Sequence, residues 1–378
     1  MRFSKPAARA AQRIVLAAAV SAGSLLASCG TGGGLSSFLT PGKPTKAPPG
    51  NLVIYAAENH GNRIDAFRLG TDGLMPARPF STMFVDSSPN RVTVANGVLY
   101  ATLHDRVISA TLGADGSLPA VPTSGSLTRT DYDPVELEVR DGVLYVAAAG
   151  IGLVQSFVIR ADGTIPVDAT SSGNGEFPAD FSTIALDGGF LYSSSRETQF
   201  IDMFILRGDG TVPIKAQNQN PRDSVSLPDH MVIHHPFLYV TSASDKSVRE
   251  YRLETSGFVP GDYESRTKND QYYPNFLVEG PILYGAAYSV GELDLFHVNA
   301  GGTLPEELPY FRTTADPASF PSSLILHDGI LYVAQAGLNR IDAYVLDSDG
   351  TPPLLPSSST RETTSDSLPL SIALYQLP

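Results

Sequence analysis

Seven polar residues recur at one structural position: Arg91, Glu136, Thr183, His230, Asn275, Ser323 and Ser371. The first six each stand nine residues before a tyrosine (Tyr100, Tyr145, Tyr192, Tyr239, Tyr284, Tyr332), and all seven precede an apolar residue (Val92, Leu137, Ile184, Met231, Phe276, Leu324, Ile372). A position that stays polar while its neighbour stays apolar is expected to face water or a ligand. The histidine and the carboxylate can move protons and the guanidinium can stabilise an anion, so the set suits general acid–base chemistry. Two plainer readings stand beside this one. The ring could line a water-filled channel, or Arg91 and Glu136, on neighbouring repeats, could pair with each other.

The elements that must position these residues are short strands. From Pro134 to Pro166 the chain alternates apolar residues at period two (Val135, Leu137, Val139), turns at Asp141-Gly142, runs apolar from Val143 to Ala147, and ends a third strand, Leu153 to Ile159, at Asp162-Gly163. Three markers of this unit can be counted. The second-strand tyrosine occurs at Tyr55, Tyr100, Tyr145, Tyr192, Tyr239, Tyr284 and Tyr332, at intervals of 45 to 48 residues. A proline opens the first strand at Pro89, Pro134, Pro178, Pro228, Pro274, Pro321 and Pro369. The turn after strand three is Asp72-Gly73, Asp115-Gly116, Asp162-Gly163, Asp209-Gly210, Ser256-Gly257, Gly301-Gly302 and Asp349-Gly350. Each marker counts seven, and a period in the mid-forties with about four strands predicts an all-β, seven-bladed β-propeller over residues 51–378. Asn51 begins at a second strand and Pro369–Leu374 is a first strand with nothing after it, so the C-terminal strand is expected to complete the N-terminal blade and remove the open edges.

The unit P-x-x-[apolar]-x-[apolar]…G-x-L-Y-V-A…D-G-x-L-P resembles the seven-bladed lactonase family that includes bacterial 6-phosphogluconolactonase and fungal carboxymuconate cyclase. The resemblance implies ring-opening of a lactone by water. Pro228-Asp229-His230-Met231 followed by Leu238-Tyr239-Val240 resembles the family stretch in which a histidine precedes strand one, so His230 or Glu136 would be the general base, with Arg91 and Asn275 stabilising the oxyanion. Where the family commonly offers an Asn-Glu pair this chain has Ser242-Ala243, which leaves Glu136 or Glu58 as the nearest carboxylates. Thr183, Ser323, Ser371, Glu58 and His104 complete the expected ligand-binding set. No G-x-S-x-G motif suggests an acyl-enzyme. His60, His104 and His230 map to the channel-mouth end, whereas His234-His235 and His327 fall in turns at the opposite end and His297 in a third strand. Their spacing matches no metal motif, so neither a metal nor a cofactor is expected.

Composition narrows the address and the partners. Beyond the N-terminal segment the chain carries 22 basic against 39 acidic residues with no basic stripe, which speaks against nucleic acid. Residues 1–28 read as a basic segment, a short apolar run and Leu26-Ala27-Ser28 before Cys29, resembling a bacterial lipoprotein signal peptide with Cys29 the lipidated residue. Cys29 is the single cysteine, so no intramolecular disulfide can form. Gly30 after it implies, by that resemblance, the outer membrane. Residues 29–50 have the Gly, Ser and Pro content of a tether. The expectation is a monomeric, lipid-anchored propeller of the bacterial envelope acting on a small lactone. The alternative is a non-catalytic envelope propeller that binds a protein, glycan or small metabolite.

Overall fold

The computed structural model describes residues 50–175, 181–220, 227–268, 271–313, 316–360 and 368–378. Residues 1–28, expected to be a signal peptide, Cys29, all of the expected tether except Gly50, and Pro178 lie outside the described residues. The chain forms seven four-stranded antiparallel sheets arranged as propeller blades. Among the described residues, two three-residue 3-10 turns, Ala149–Ile151 and Ala336–Leu338, interrupt the strands. Blade 1 contains Leu52–Glu58, Arg63–Arg68 and Ser81–Phe84, and its innermost strand is the C-terminal Pro369–Gln376. The innermost strands of blades 2 to 7 are Pro89–Ala95, Pro134–Arg140, Phe181–Asp187, Pro228–His234, Asn275–Glu279 and Pro321–His327. The expected closure is therefore observed, with Val53 to Ala57 paired against Tyr375 to Ser371. The proline marker is less regular than expected: Phe181 opens the strand in blade 4, and in blade 6 Tyr273 takes the proline's place with Pro274 one residue later.

Each second strand is buried along nearly its whole length because both of its faces are covered. In blade 1, Val53, Tyr55 and Ala57 pack with blade 2 while Leu52, Ile54 and Ala56 pack with blade 7. The core is thus seven slabs between neighbouring blades, not one central mass. Between strands one and two, Asp141-Gly142 has φ of +49° and +77°, the doubly left-handed turn that matches strand twist and that Asp-Gly adopts at little cost.

The tyrosine and the Asp-Gly turn prove to be the two ends of one bond. Each second-strand tyrosine hydroxyl donates to the carbonyl of the turn glycine in the next blade: Tyr55 to Gly116 (2.7 Å), Tyr100 to Gly163 (3.0 Å), Tyr145 to Gly210 (2.6 Å), Tyr192 to Gly257 (2.7 Å), Tyr239 to Gly302 (2.6 Å), Tyr284 to Gly350 (2.9 Å) and Tyr332 to Gly73 (2.7 Å). The last runs from blade 7 to blade 1 and closes the circle. At Gly163, with φ of +81°, a Cβ would overlap Val98 of blade 2, so glycine there serves the close approach of blades as well as the turn.

Candidate functional site

The innermost strands carry a repeated irregularity where the seven polar residues sit. The pairing of strands one and two shifts by a residue between Pro89 and Arg91, Pro134 and Glu136, Phe181 and Thr183, Pro228 and Met231, and Pro321 and Ser323, with the same shift where Pro369 meets Glu58. Such a bulge re-aims the side chains beside it. The structure corrects the sequence expectation here. The ring does not face open water: Arg91 is 2% exposed, Glu136, His230 and Asn275 1%, and Thr183, Ser323 and Ser371 0%. The reason is that seven innermost strands converge at this level, so the side chains meet one another and the backbone of the next blade.

The two serine members act as stitches. Ser371 Oγ accepts from the Val92 amide and Ser323 Oγ from the Ile372 amide, each at 3.1 Å and each across a blade boundary. Thr183 Oγ1 lies 3.4 Å from the Ile184 carbonyl. Ser182 and Ser322 donate to the Pro228 and Pro369 carbonyls of the following blades at 2.6 and 2.8 Å. Glu58 is buried at the end of its strand, whereas His104 is exposed, with Nδ1 3.6 Å from Asp133 Oδ1, and stands apart from the ring. Asn275 pairs with Ala286 in blade 6.

The ionisable members form a different kind of contact. Arg91 Nε stands 3.5 Å from Glu136 Oε2, a long ion pair in which neither of these two atoms makes a well-formed hydrogen bond. Arg91 instead donates through a terminal nitrogen to the Asn90 carbonyl at 3.1 Å, and Glu136 Oε1 accepts from the Leu137 amide at 3.1 Å. Burial pushes the Glu136 carboxyl up to about 7 although Arg91 opposes the shift, and burial likewise lowers Arg91. Both partners are moved toward neutrality, so the loss of hydration outweighs the attraction.

His230 lies in the same field. Its amide and that of Asp229 point at the Thr241 hydroxyl (2.9 and 3.3 Å), and its Nε2 lies 3.2 Å from the Phe276 carbonyl. Since a carbonyl only accepts, Nε2 carries the proton and Nδ1 keeps its lone pair, without a hydrogen-bond partner. Burial, and after it the charge of Arg91, pushes the imidazole down to about 3, so it is neutral. Three groups were not singled out in the sequence. Asp229, beside His230, is buried and ion-paired with Arg196 from the loop between strands two and three of blade 4, and burial pushes its carboxyl up. Arg196 also acts on Arg91 electrostatically. Glu138, two residues past Glu136, is half-buried and pushed up to about 8 by burial. Its signal was available: it is an acidic residue at a position that is otherwise small or apolar in the aligned blades (Thr93, Ala185, Val232, Leu277, Ile325, Ala373).

His234 and His235 stand at the opposite end, as expected, with His235 Nδ1 2.8 Å from Asp187 Oδ2. Among the described residues no group of three or more His, Cys, Asp or Glu is arranged to hold a metal ion.

Neither a protein-family model nor a curated protein matches the chain. Solved structures do match its fold. A candidate 6-phosphogluconolactonase from Bacteroides uniformis superposes with a TM-score of 0.68 at 16% identity, covering 86% of this chain and 99% of that one. Another from Bacteroides fragilis gives 0.67 at 16% identity over 86% and 98%. The periplasmic gluconolactonase PpgL of Pseudomonas aeruginosa gives 0.64 at 16% identity over 86% and 99%. The chain has the seven-bladed fold of these lactonase-type propellers.

Proposed function

We propose that the protein is a lactone hydrolase whose reacting groups are Glu136 and Arg91. The observation that carries the reading is the Arg91–Glu136 contact: two buried ionisable groups moved toward neutrality, with Glu136 near 7, where a carboxylate can both accept and return a proton at neutral pH. Water adds to the lactone carbonyl as Glu136 takes its proton, and Arg91 faces the developing oxyanion. The ring C–O bond then breaks and the leaving alkoxide recovers the proton from Glu136. Pushed to about 3, His230 is too weak a base for this task, but its free Nδ1 lone pair can accept a hydrogen bond from water or a substrate hydroxyl.

The site also supports a second reading. Near-complete burial of all seven ring members and the stitching by Ser371 and Ser323 favour a structural ring, with the propeller a non-catalytic binder. Proton release by purified protein on simple and sugar lactones separates the two. Hydrolysis that falls about a hundredfold or more in Glu136→Gln is the expected result. A folded wild type that opens no lactone replaces the hydrolase with the binder. Export and lipid anchoring through Cys29 to the bacterial outer membrane form part of the same proposal, and Cys29→Ser should abolish lipid labelling and release the protein from the membrane fraction.

A further inference from the structure

Three residues before each ring member the chain enters its innermost strand, and this entry position divides the channel mouth in two. In blades 2, 3 and 4 it holds Ser88, Asp133 and Asp180, the last outside the described residues; in blades 5, 6, 7 and 1 it holds Leu227, Tyr272, Phe320 and Leu368. The carbonyls of Leu227, Phe320 and Leu368 accept from the amides of Ala243, Ala336 and Asn59 in the loops between strands two and three, which fixes all three at the mouth. Asp133, Leu227, Phe320 and Leu368 have φ of +40°, +52°, +48° and +51°. Aspartate adopts this left-handed conformation readily, whereas leucine and phenylalanine are strained in it, so the backbone does not account for an apolar choice. Packing accounts for part of it. Phe320 and Leu368 lie against Ala336 and Leu370, and the Tyr288 ring, from the strand two–three loop of blade 6, stacks on Phe320 with centroids 5.1 Å apart and 24° between the planes. Yet Phe320, Leu368, Tyr272 and Tyr288 stay half-buried and Leu227 is 40% exposed, so an apolar arc over four consecutive blades is left partly uncovered.

We infer that the lactone opened at the ring carries an uncharged hydrocarbon substituent, and that Leu227, Phe320 and Leu368 are the specificity-determining residues that receive it. The inference rests on the lactone-hydrolase reading and names its substrate class. The arc lies about 10 Å from the ring along the strands. The ring is narrow enough that Arg91 of blade 2 acts on His230 of blade 5, so a ligand seated at Arg91 and Glu136 is within reach of the far side of the mouth. Covering the arc removes apolar area from water, a gain that grows with each methylene added. A polyhydroxylated lactone has no such gain, because its hydroxyls would lose water against side chains that cannot replace it. Charge is disfavoured as well. At the polar half of the mouth Arg106, Arg129 and Arg196 are each ion-paired with an aspartate, Asp86, Asp131 and Asp229, so a phosphate or carboxylate on the ligand would meet like charge beside each guanidinium.

The test measures kcat/KM for γ-butyrolactones bearing unbranched γ-alkyl groups from methyl to octyl, and for glucono-δ-lactone, in wild type, Leu227→Asn and Phe320→Asn. Asparagine tolerates the left-handed backbone, so each variant removes an apolar side chain without adding strain, and Leu227, being exposed, can be changed without opening the core. In wild type kcat/KM should rise roughly two- to fourfold per methylene before levelling off. Each variant should lower the octyl-to-methyl ratio roughly tenfold, chiefly through KM. Glu136→Gln should instead lower every rate alike and leave the ratio as it is, which separates the arc from the chemistry. A flat series in wild type, a preference for glucono-δ-lactone, or an undiminished ratio in folded variants overturns the inference and leaves the hydrolase standing. A wild type that opens none of these lactones removes the hydrolase and its substrate class together.

Discussion

The two ends of the propeller treat repetition in opposite ways. At the turn end, the tyrosine–glycine bond is made seven times with the same two groups at 2.6 to 3.0 Å. At the ring end, one equivalent position holds Arg, Glu, Thr, His, Asn, Ser and Ser, and the bond to the next blade is made there in different ways, by the Ser371 and Ser323 hydroxyls accepting from amides and by His230 Nε2 at the Phe276 carbonyl. A bond that serves closure can be identical in every blade because every boundary has the same geometry. Chemistry at an axis cannot, since a base, an anion-stabilising group and their partners must differ. The ring departs from symmetry in blades 2, 3 and 5, where Arg91, Glu136 and His230 stand, and the proposed hydrolase rests on that departure.

The comparison breaks most completely if the circle is opened. Deleting Ser367 to Pro378 removes the innermost strand of blade 1, the Ser371 and Ser322 stitches and one face of two slabs. The cooperative thermal transition followed by circular dichroism should disappear; a Tm equal to that of the full chain would mean that closure contributes nothing. Next comes Arg91→Met, which leaves Glu136 buried without a counter-charge and should cost about 3–5 kcal/mol at pH 8. The cost should shrink at pH 5.5, where Glu136 is protonated, and Arg91→Met with Glu136→Gln should recover most of it in denaturant titrations. An equal loss at both pH values would show that packing, not charge, holds Arg91.

Single Tyr→Phe changes probe the regular end, each worth about 1 kcal/mol. Urea midpoints for Tyr145→Phe and Tyr332→Phe should fall by similar amounts, and a much larger loss at Tyr332 would single out the blade 7–1 seam. The smallest effect tests the one ionisable intrusion into that region. Glu250 pairs with Tyr239 where other blades place Ala66, Ser109, Ser156, Met203, Leu295 and Ala343, and burial pushes it up to about 7. Its folded value lies above the unfolded one near 4.5, so its protonated form favours folding: the contribution is complete below about 4.5 and is lost as pH rises toward 7. Glu250→Gln should therefore lose less Tm than wild type between pH 5 and 8, by roughly a few degrees; parallel curves would assign the pH dependence elsewhere.

Strand type, blade number and closure were legible because each depends on patterns local to one repeat. Alternation marks Val135 to Val139, two left-handed residues mark Asp141-Gly142, and the phase of Asn51 against Pro369 marks the seam. The candidate site was legible in part: the ring's position and the Arg91–Glu136 adjacency follow from counting blades. Its burial did not, and neither did the Asp229–Arg196 ion pair beside it. By itself the sequence determined which residues sit on which strand and face, since a period of two needs only near neighbours. Only the tertiary structure decided what lies around the axis, because seven strands from the whole chain converge there, and their spacing sets whether a polar side chain meets water, another charge or the next blade's backbone.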